Sequence, residues 1–142
     1  HGHPLIPLAP GSAMGRLCGG NLSLLAASLG TPWEIDTRGK LLFLEDVGEK
    51  VYRIDGMLTQ LRNAGKFQDC AGVILGAWTD CPPEDPERSL TLEEVFRELI
   101  VPAARPVLTG LACGHTLPTL SLPLGAMAAM DADTGRLEVL PS

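Results

Sequence analysis

Lys40-Leu-Leu-Phe-Leu44-Glu45-Asp46-Val47-Gly48-Glu49 is the stretch on which the fold turns. Four apolar residues in a row, too few for a helix and bounded by polar ones, describe a strand buried on both faces, as in a parallel sheet. A carboxylate, Glu45, follows at once at the carboxyl end of that strand. Ligands of α/β sheets bind beside that end, where a side chain can be held rigidly and partly desolvated. Position alone also fits a plainer role for the Glu45 region, an acidic loop that caps the next helix through its dipole. Beyond it Val51, Ile54, Leu58 and Leu61 recur at three, four and three, one face of a helix that Gly65 is placed to stop.

The same alternation continues in both directions. Upstream, Ala13 to Cys18 reads as a short strand, Gly19-Gly20-Asn21 as a turn permitting positive φ, and Leu22 to Leu29 as a helix stopped by Gly30 and Pro32. Downstream, Ala71 to Trp78 is a second buried strand and Cys81 to Arg88 a polar, Pro-rich loop. Thr91 with Glu94 forms a capping box opening a helix to about Ile100, and Val107 to Leu111 is a short strand. Ala126 to Met130 and Leu137 to Leu140 flank a hairpin turn over Asp131 to Gly135. The expected class is therefore α/β, a small mixed sheet with flanking helices in one domain over residues 13–142. Residues 1–12, Pro-rich at the start, are expected to be linker or a cloning remnant.

Composition narrows the function. The 142 residues suffice for one domain with a core, and 45% hydrophobic against 20% charged is the balance of a soluble globular protein. A net charge of −6 without a cluster of Lys or Arg argues against nucleic acid or an anionic membrane surface as partner. Apolar runs are far shorter than a membrane span, and no signal-peptide pattern is present, so a cytoplasmic location is expected. Cys18, Cys70, Cys81 and Cys113 lack the close pairing that a zinc site needs and read as reduced thiols; no metal or cofactor is expected.

The second chemical signal is Gly114-His115-Thr116-Leu117-Pro118. His115 is the sole histidine outside the first three residues, and imidazole titrates near neutral pH, as a general base must. A lone histidine also fits an ordinary surface or core position. Cys113 stands two residues before it, and a Cys–His pair is a further arrangement that the spacing permits.

Gly15-Arg-Leu-Cys-Gly-Gly-Asn-Leu22, Gly30-Thr-Pro32, Leu42-Phe-Leu-Glu-Asp-Val-Gly-Glu49, Tyr52-Arg-Ile-Asp55 with Met57-Leu58, Gly114-His115 and Leu122-Pro-Leu-Gly125 occur together and in this order. In that combination the chain, from about Gly11 to Leu140, resembles the C-terminal half of the LD-carboxypeptidases. The resemblance implies a swivelling β/β/α domain that supplies two members of a Ser-Glu-His triad, here Glu45 and His115. The nucleophilic serine would stand on an N-terminal domain absent from this chain. It implies removal of the terminal D-alanine from murein tetrapeptides, with murein peptide and the missing serine domain as partners, and it leaves room for a homodimer. Alternatives are hydrolysis of a peptidyl-nucleotide toxin, as in microcin-immunity relatives, and a non-catalytic binding module on the same scaffold. None of Ser12, Ser23, Ser28, Ser89, Ser121 and Ser142 has the context of a strand-to-helix elbow, so this chain alone is expected to be inactive. One departure stands out: after Tyr52-Arg53-Ile54-Asp55 the family pattern calls for a basic residue, and this chain has Gly56.

Overall fold

The structure, a computed structural model, describes residues 6–46, 51–78, 86–109 and 123–141. Its centre is the apolar run read above. Strand β3 (Leu41–Asp46) lies between β2 (Ser12–Asn21) and β4 (Gly72–Trp78), parallel to both, and β4 pairs in parallel with β5 (Val107–Thr109). The antiparallel strands β1 (Ile6–Ala9), β6 (Met127–Asp131) and β7 (Arg136–Val139) complete a seven-stranded mixed sheet of order β1-β5-β4-β3-β2-β6-β7. Strand β3 is covered on both faces, with Leu42 and Leu44 in one apolar cluster and Leu41 and Phe43 in another, which explains why it has no polar alternation: Leu41, Leu42 and Leu44 are each 0% exposed.

Each parallel step is made through helix. Helix α1 (Leu22–Ser28) joins β2 to β3, α2 (Val51–Asn63) and α3 (Lys66–Asp69) lie between β3 and β4, and α4 (Pro86–Leu99) with a 3-10 turn (Val101–Ala103) lies between β4 and β5. Because the chain steps β2, β3, β4, β5 in one direction, a constant crossover hand puts these helices on one face. One apolar cluster accordingly joins Leu42, Leu44, Val73, Leu75 and Val107 to Leu22 of α1, Ile54, Leu58 and Leu61 of α2, and Phe96 of α4. The opposite face, Leu17, Leu41, Phe43, Ile74 and Leu108, is covered by Ala128 and Met130 of β6 together with Ala132. Strand β6 curls over that face so closely that a Cβ on Gly72 would overlap the Met130 sulfur.

Several boundaries differ from the sequence expectations. Ile6–Ala9, inside the stretch expected to be linker, forms β1 and pairs with β5 through Ile6, Pro7 and Ala9. Proline lacks the N–H of an inner strand, and β1 is an edge strand, where that loss is tolerated. Helix α4 begins at Pro86, before the Thr91 capping box. Proline fits the first turn of a helix because its missing N–H has no partner there in any case. Gly19 and Gly20 do take positive φ, 125° and 136°, but within β2 rather than in a turn. Helix α3, too short to show a period, was absent from the expectations. The α1 helix, the hairpin at Asp131 to Gly135 and the stop at Gly65 (φ 81°) appear as expected.

Candidate active site at the carboxyl end of the parallel strands

Glu45 is the fifth residue of β3 and is half-buried. It stands at the carboxyl end of a strand with a parallel neighbour on each side. Alternation along β3 sets it on the face of Phe43, opposite the helices. In the β2–β3 ladder its partner is Asn21. Asn21 caps α1: its side-chain oxygen accepts from the Leu24 N–H at 3.2 Å and from the Ser23 hydroxyl at 2.6 Å. In sequence Asn21 reads as a turn residue; the signal for its place is the cap position directly before an apolar helix.

On the other side of β3 the ladder with β4 shifts between Leu44 and Asp46. Leu44 pairs with Leu75 and Asp46 with Trp78, so Gly76 and Ala77 together face the single residue Glu45. A bulge in a parallel pair is uncommon, and bulges gather beside active sites, where they re-aim a side chain.

His115 and Cys113 lie outside the described residues. The chain around them leaves β5 at Thr109 and is described again from Pro123. There Gly125 N–H donates to the Leu17 carbonyl (2.7 Å), Leu17 N–H to the Ala126 carbonyl (2.8 Å), and the Arg16 guanidinium to the Gly125 carbonyl (3.0 Å). Thr109 therefore lies two strands to one side of β3, and Gly125 beside β2 on its other side, near Leu17, which pairs with Leu41 at the amino end of β3. Three strand spacings come to roughly 14 Å, a gap that thirteen residues span with ease.

The other reactive groups are quiet. Burial pushes the Cys18 thiol up to about 11, and burial likewise pushes Cys70 up to about 11. The Cys70 thiol donates to the Phe67 carbonyl at 3.4 Å. Ser28 donates to the Leu25 carbonyl within its own helix at 2.7 Å, so with Ser23 it is spent on local bonds. Among the described residues no cluster of His, Cys, Asp and Glu could hold a metal ion, and no helix is long and apolar enough to cross a membrane. Gly56 lines an open groove of about 400 Å³ between α1 and α2, with Ser23, Ala26, Ala27, Arg53, Met57 and Gln60. A Cβ at Gly56 would meet nothing within 4 Å, so the groove leaves room for a side chain at this position.

Comparison with known proteins decides the family. The model of the LD-carboxypeptidase C-terminal domain matches residues 14–130. The chain belongs to that family. The probable murein peptide carboxypeptidase of Bacillus subtilis is 52% identical over 128 residues, 90% of this chain and 40% of that protein. The microcin C7 self-immunity protein of Escherichia coli is 32% identical over 91% of this chain and 37% of its own length. Among solved structures, the muramoyltetrapeptide carboxypeptidase of Oxalobacter formigenes superposes with a TM-score of 0.74 at 30% identity, covering 97% of this chain and 50% of that one. The LD-carboxypeptidase domain described here thus spans about two fifths of the length of these curated relatives.

Proposed function

We propose that this domain supplies the acid and the base, Glu45 and His115, of a Ser-Glu-His triad in a serine-type carboxypeptidase that removes the terminal D-alanine from murein tetrapeptides in the cytoplasm. The observation that carries the reading is the place of Glu45. It is a half-buried carboxylate at the carboxyl end of a parallel strand, and in strand order that strand lies between β5, which ends at Thr109, and β2, to which Gly125 and Ala126 are bonded. In this reading His115 takes the proton of the serine hydroxyl as the oxygen attacks the amide carbonyl, and then delivers it to the departing D-alanine amine. Glu45 accepts from the far side of the imidazole, fixing its tautomer and stabilising the imidazolium. The serine and the oxyanion donors belong to the part of the relatives' length that this chain does not span. The names of the Bacillus and Oxalobacter relatives favour murein peptide as the substrate class.

The test is D-alanine release from murein tetrapeptide by the full-length protein. Both Glu45→Gln and His115→Ala are expected to lower kcat by at least about a thousandfold, with KM little changed, as for triad members acting as a unit. Near wild-type turnover in His115→Ala would overturn the triad assignment. Cleavage of an aminoacyl-nucleotide in preference to the tetrapeptide would move the substrate toward that of the microcin-immunity relative.

A further inference from the structure

Beside Glu45, β3 keeps an unbroken register with β2 but meets a bulge in β4, and a glycine of each neighbouring strand lies against Phe43. On the β2 side, Gly19 pairs with Phe43, and its φ of 125° turns the Cβ position of an L-residue into the space between the two strands. A Cβ there would overlap the Phe43 carbonyl oxygen and lie 2.7 Å from its carbon and 2.8 Å from its nitrogen. On the β4 side, Gly76 opens the bulge, and a Cβ there would overlap the edge of the Phe43 ring, with Cζ at 2.7 Å. Phe43 itself is 4% exposed. Two residues before Glu45, then, one glycine admits the backbone of Phe43 and the other admits its ring. Ordinary parallel strands need neither device.

We propose that Gly19 and Gly76 are positioning residues which, by closing on Phe43, fix the direction in which the Glu45 carboxylate leaves the sheet. The inference rests on the triad reading above and adds to it the groups that aim its acid. Gly19 holds the backbone of β3 at one lateral position. The Phe43 ring, seated where Gly76 has no side chain, keeps Gly76 and Ala77 bulged opposite Glu45. With the bulge in place the β3–β4 ladder resumes only at Asp46 and Trp78, and the carboxylate is presented at the carboxyl end of the central strand.

The experiment is a mutant cycle in the full-length protein, read by kcat, KM and the pH profile of kcat/KM. Gly76→Ala is expected to lower kcat by at least tenfold with KM within about twofold. It should also shift the acid limb of the profile downward, in the same direction as Glu45→Gln, because a misdirected carboxylate no longer raises the pKa of the base. Phe43→Leu, which vacates the ring site, is expected to show a smaller shift of the same sign. Gly76→Ala combined with Phe43→Leu, in which the new methyl fills the vacated space, should recover most of the lost kcat and the wild-type limb. If Gly76→Ala does not fold, the downward limb in Phe43→Leu is the decisive reading, and an unmoved limb overturns the proposal. A fall in kcat with an unmoved limb also overturns it, since that marks only a smaller folded fraction. Loss of activity in Glu45→Gln together with wild-type behaviour of Gly76→Ala removes the glycine pair and leaves the triad standing. Wild-type activity in Glu45→Gln removes the triad, and the pair with it.

Discussion

Single side chains in this domain sort by what surrounds them. Cys18 and Cys70 both pack in the helix-side core, where burial penalises the thiolate; the Lys40 ammonium near Cys18 and the Arg105 guanidinium near Cys70 offset only part of that cost. Arg105 also donates to the carbonyls of Cys70 (3.0 Å) and Gln68 (2.7 Å), closing the turn that leads into β4. With both thiols pushed up to about 11, only on the order of one molecule in a thousand carries a thiolate at pH 8, and the thiolate is the reactive form. Peptide-resolved alkylation of the native protein at pH 8 should therefore leave Cys18 and Cys70 unlabelled over times that fully modify an exposed thiol. Labelling should become fast in denaturant. Rapid native labelling of Cys70 would contradict the packing around it.

Between elements, the most polar tie among the described residues is Lys66 of α3, buried at 7% exposure although it is a lysine. Its ammonium donates to the Glu34 carboxylate at 2.7 Å and to the Ile35 carbonyl at 2.8 Å, while the other Glu34 oxygen accepts from Gly30 N–H at 2.8 Å. The loop after α1 is thereby fastened to α3 and displays Trp33, 82% exposed, at its tip. The Lys66 hydrogen bond, followed by that from Gly30, holds the Glu34 carboxyl below the usual carboxylate range. A depressed carboxyl stabilises the fold above its unfolded pKa, and the contribution is lost as the pH falls through its folded value. Lys66→Met should accordingly lower the melting temperature at pH 7, and the gap to wild type should narrow as the pH drops below the carboxylate range. A gap that stays constant down to pH 2 would show that Lys66 acts through its hydrocarbon stem alone. These ties also mark what the sequence could disclose. The Leu41 to Leu44 run and the three-four-three spacing of α2 are local patterns, and both elements appear where they were expected. By contrast β1 was hidden by Pro7, the start of α4 by a Thr91–Glu94 pair that mimics a cap, and α3 by its four-residue length. The Glu34–Lys66 pair and the β4 bulge join residues distant in sequence, and no local period encodes them. The same holds at the candidate site. The place of Glu45 at the end of a buried strand was legible because a carboxylate directly follows an apolar run, while its alignment with Asn21 depends on the β2–β3 register. The distance from Glu45 to His115 falls outside the described residues.

For the molecule as a whole, the decisive fact is that the chain spans about two fifths of the curated relatives' length. If the serine stands on a separate domain, the triad forms only where the two domains meet. Contacts of that kind within a chain commonly bury about 600–1,500 Å². At about 25 cal/mol per Å² of apolar area, leaving even several hundred square ångströms uncovered costs some kcal/mol, comparable to the net stability of a small domain. The described surface includes exposed large apolar side chains, Met14, Leu24, Trp33, Tyr52 and Leu124 among them. Three consequences follow from one cause. The isolated 142-residue chain should melt below the full-length protein, self-associate in a concentration-dependent way, and release no D-alanine from murein tetrapeptide. Dimerisation alone is weak support, since the intact protein is free to dimerise as well. Complementation is stronger: the serine domain added in trans should restore cleavage and, at saturating concentration, raise the melting temperature of this chain by mass action. With His115→Ala in this chain the stabilisation should persist, because docking uses surface rather than the triad, while cleavage should vanish. Equal cleavage with wild-type and His115→Ala chains would make the histidine structural. Detectable release by the wild-type chain alone would place the nucleophile within these 142 residues and dismiss the split triad.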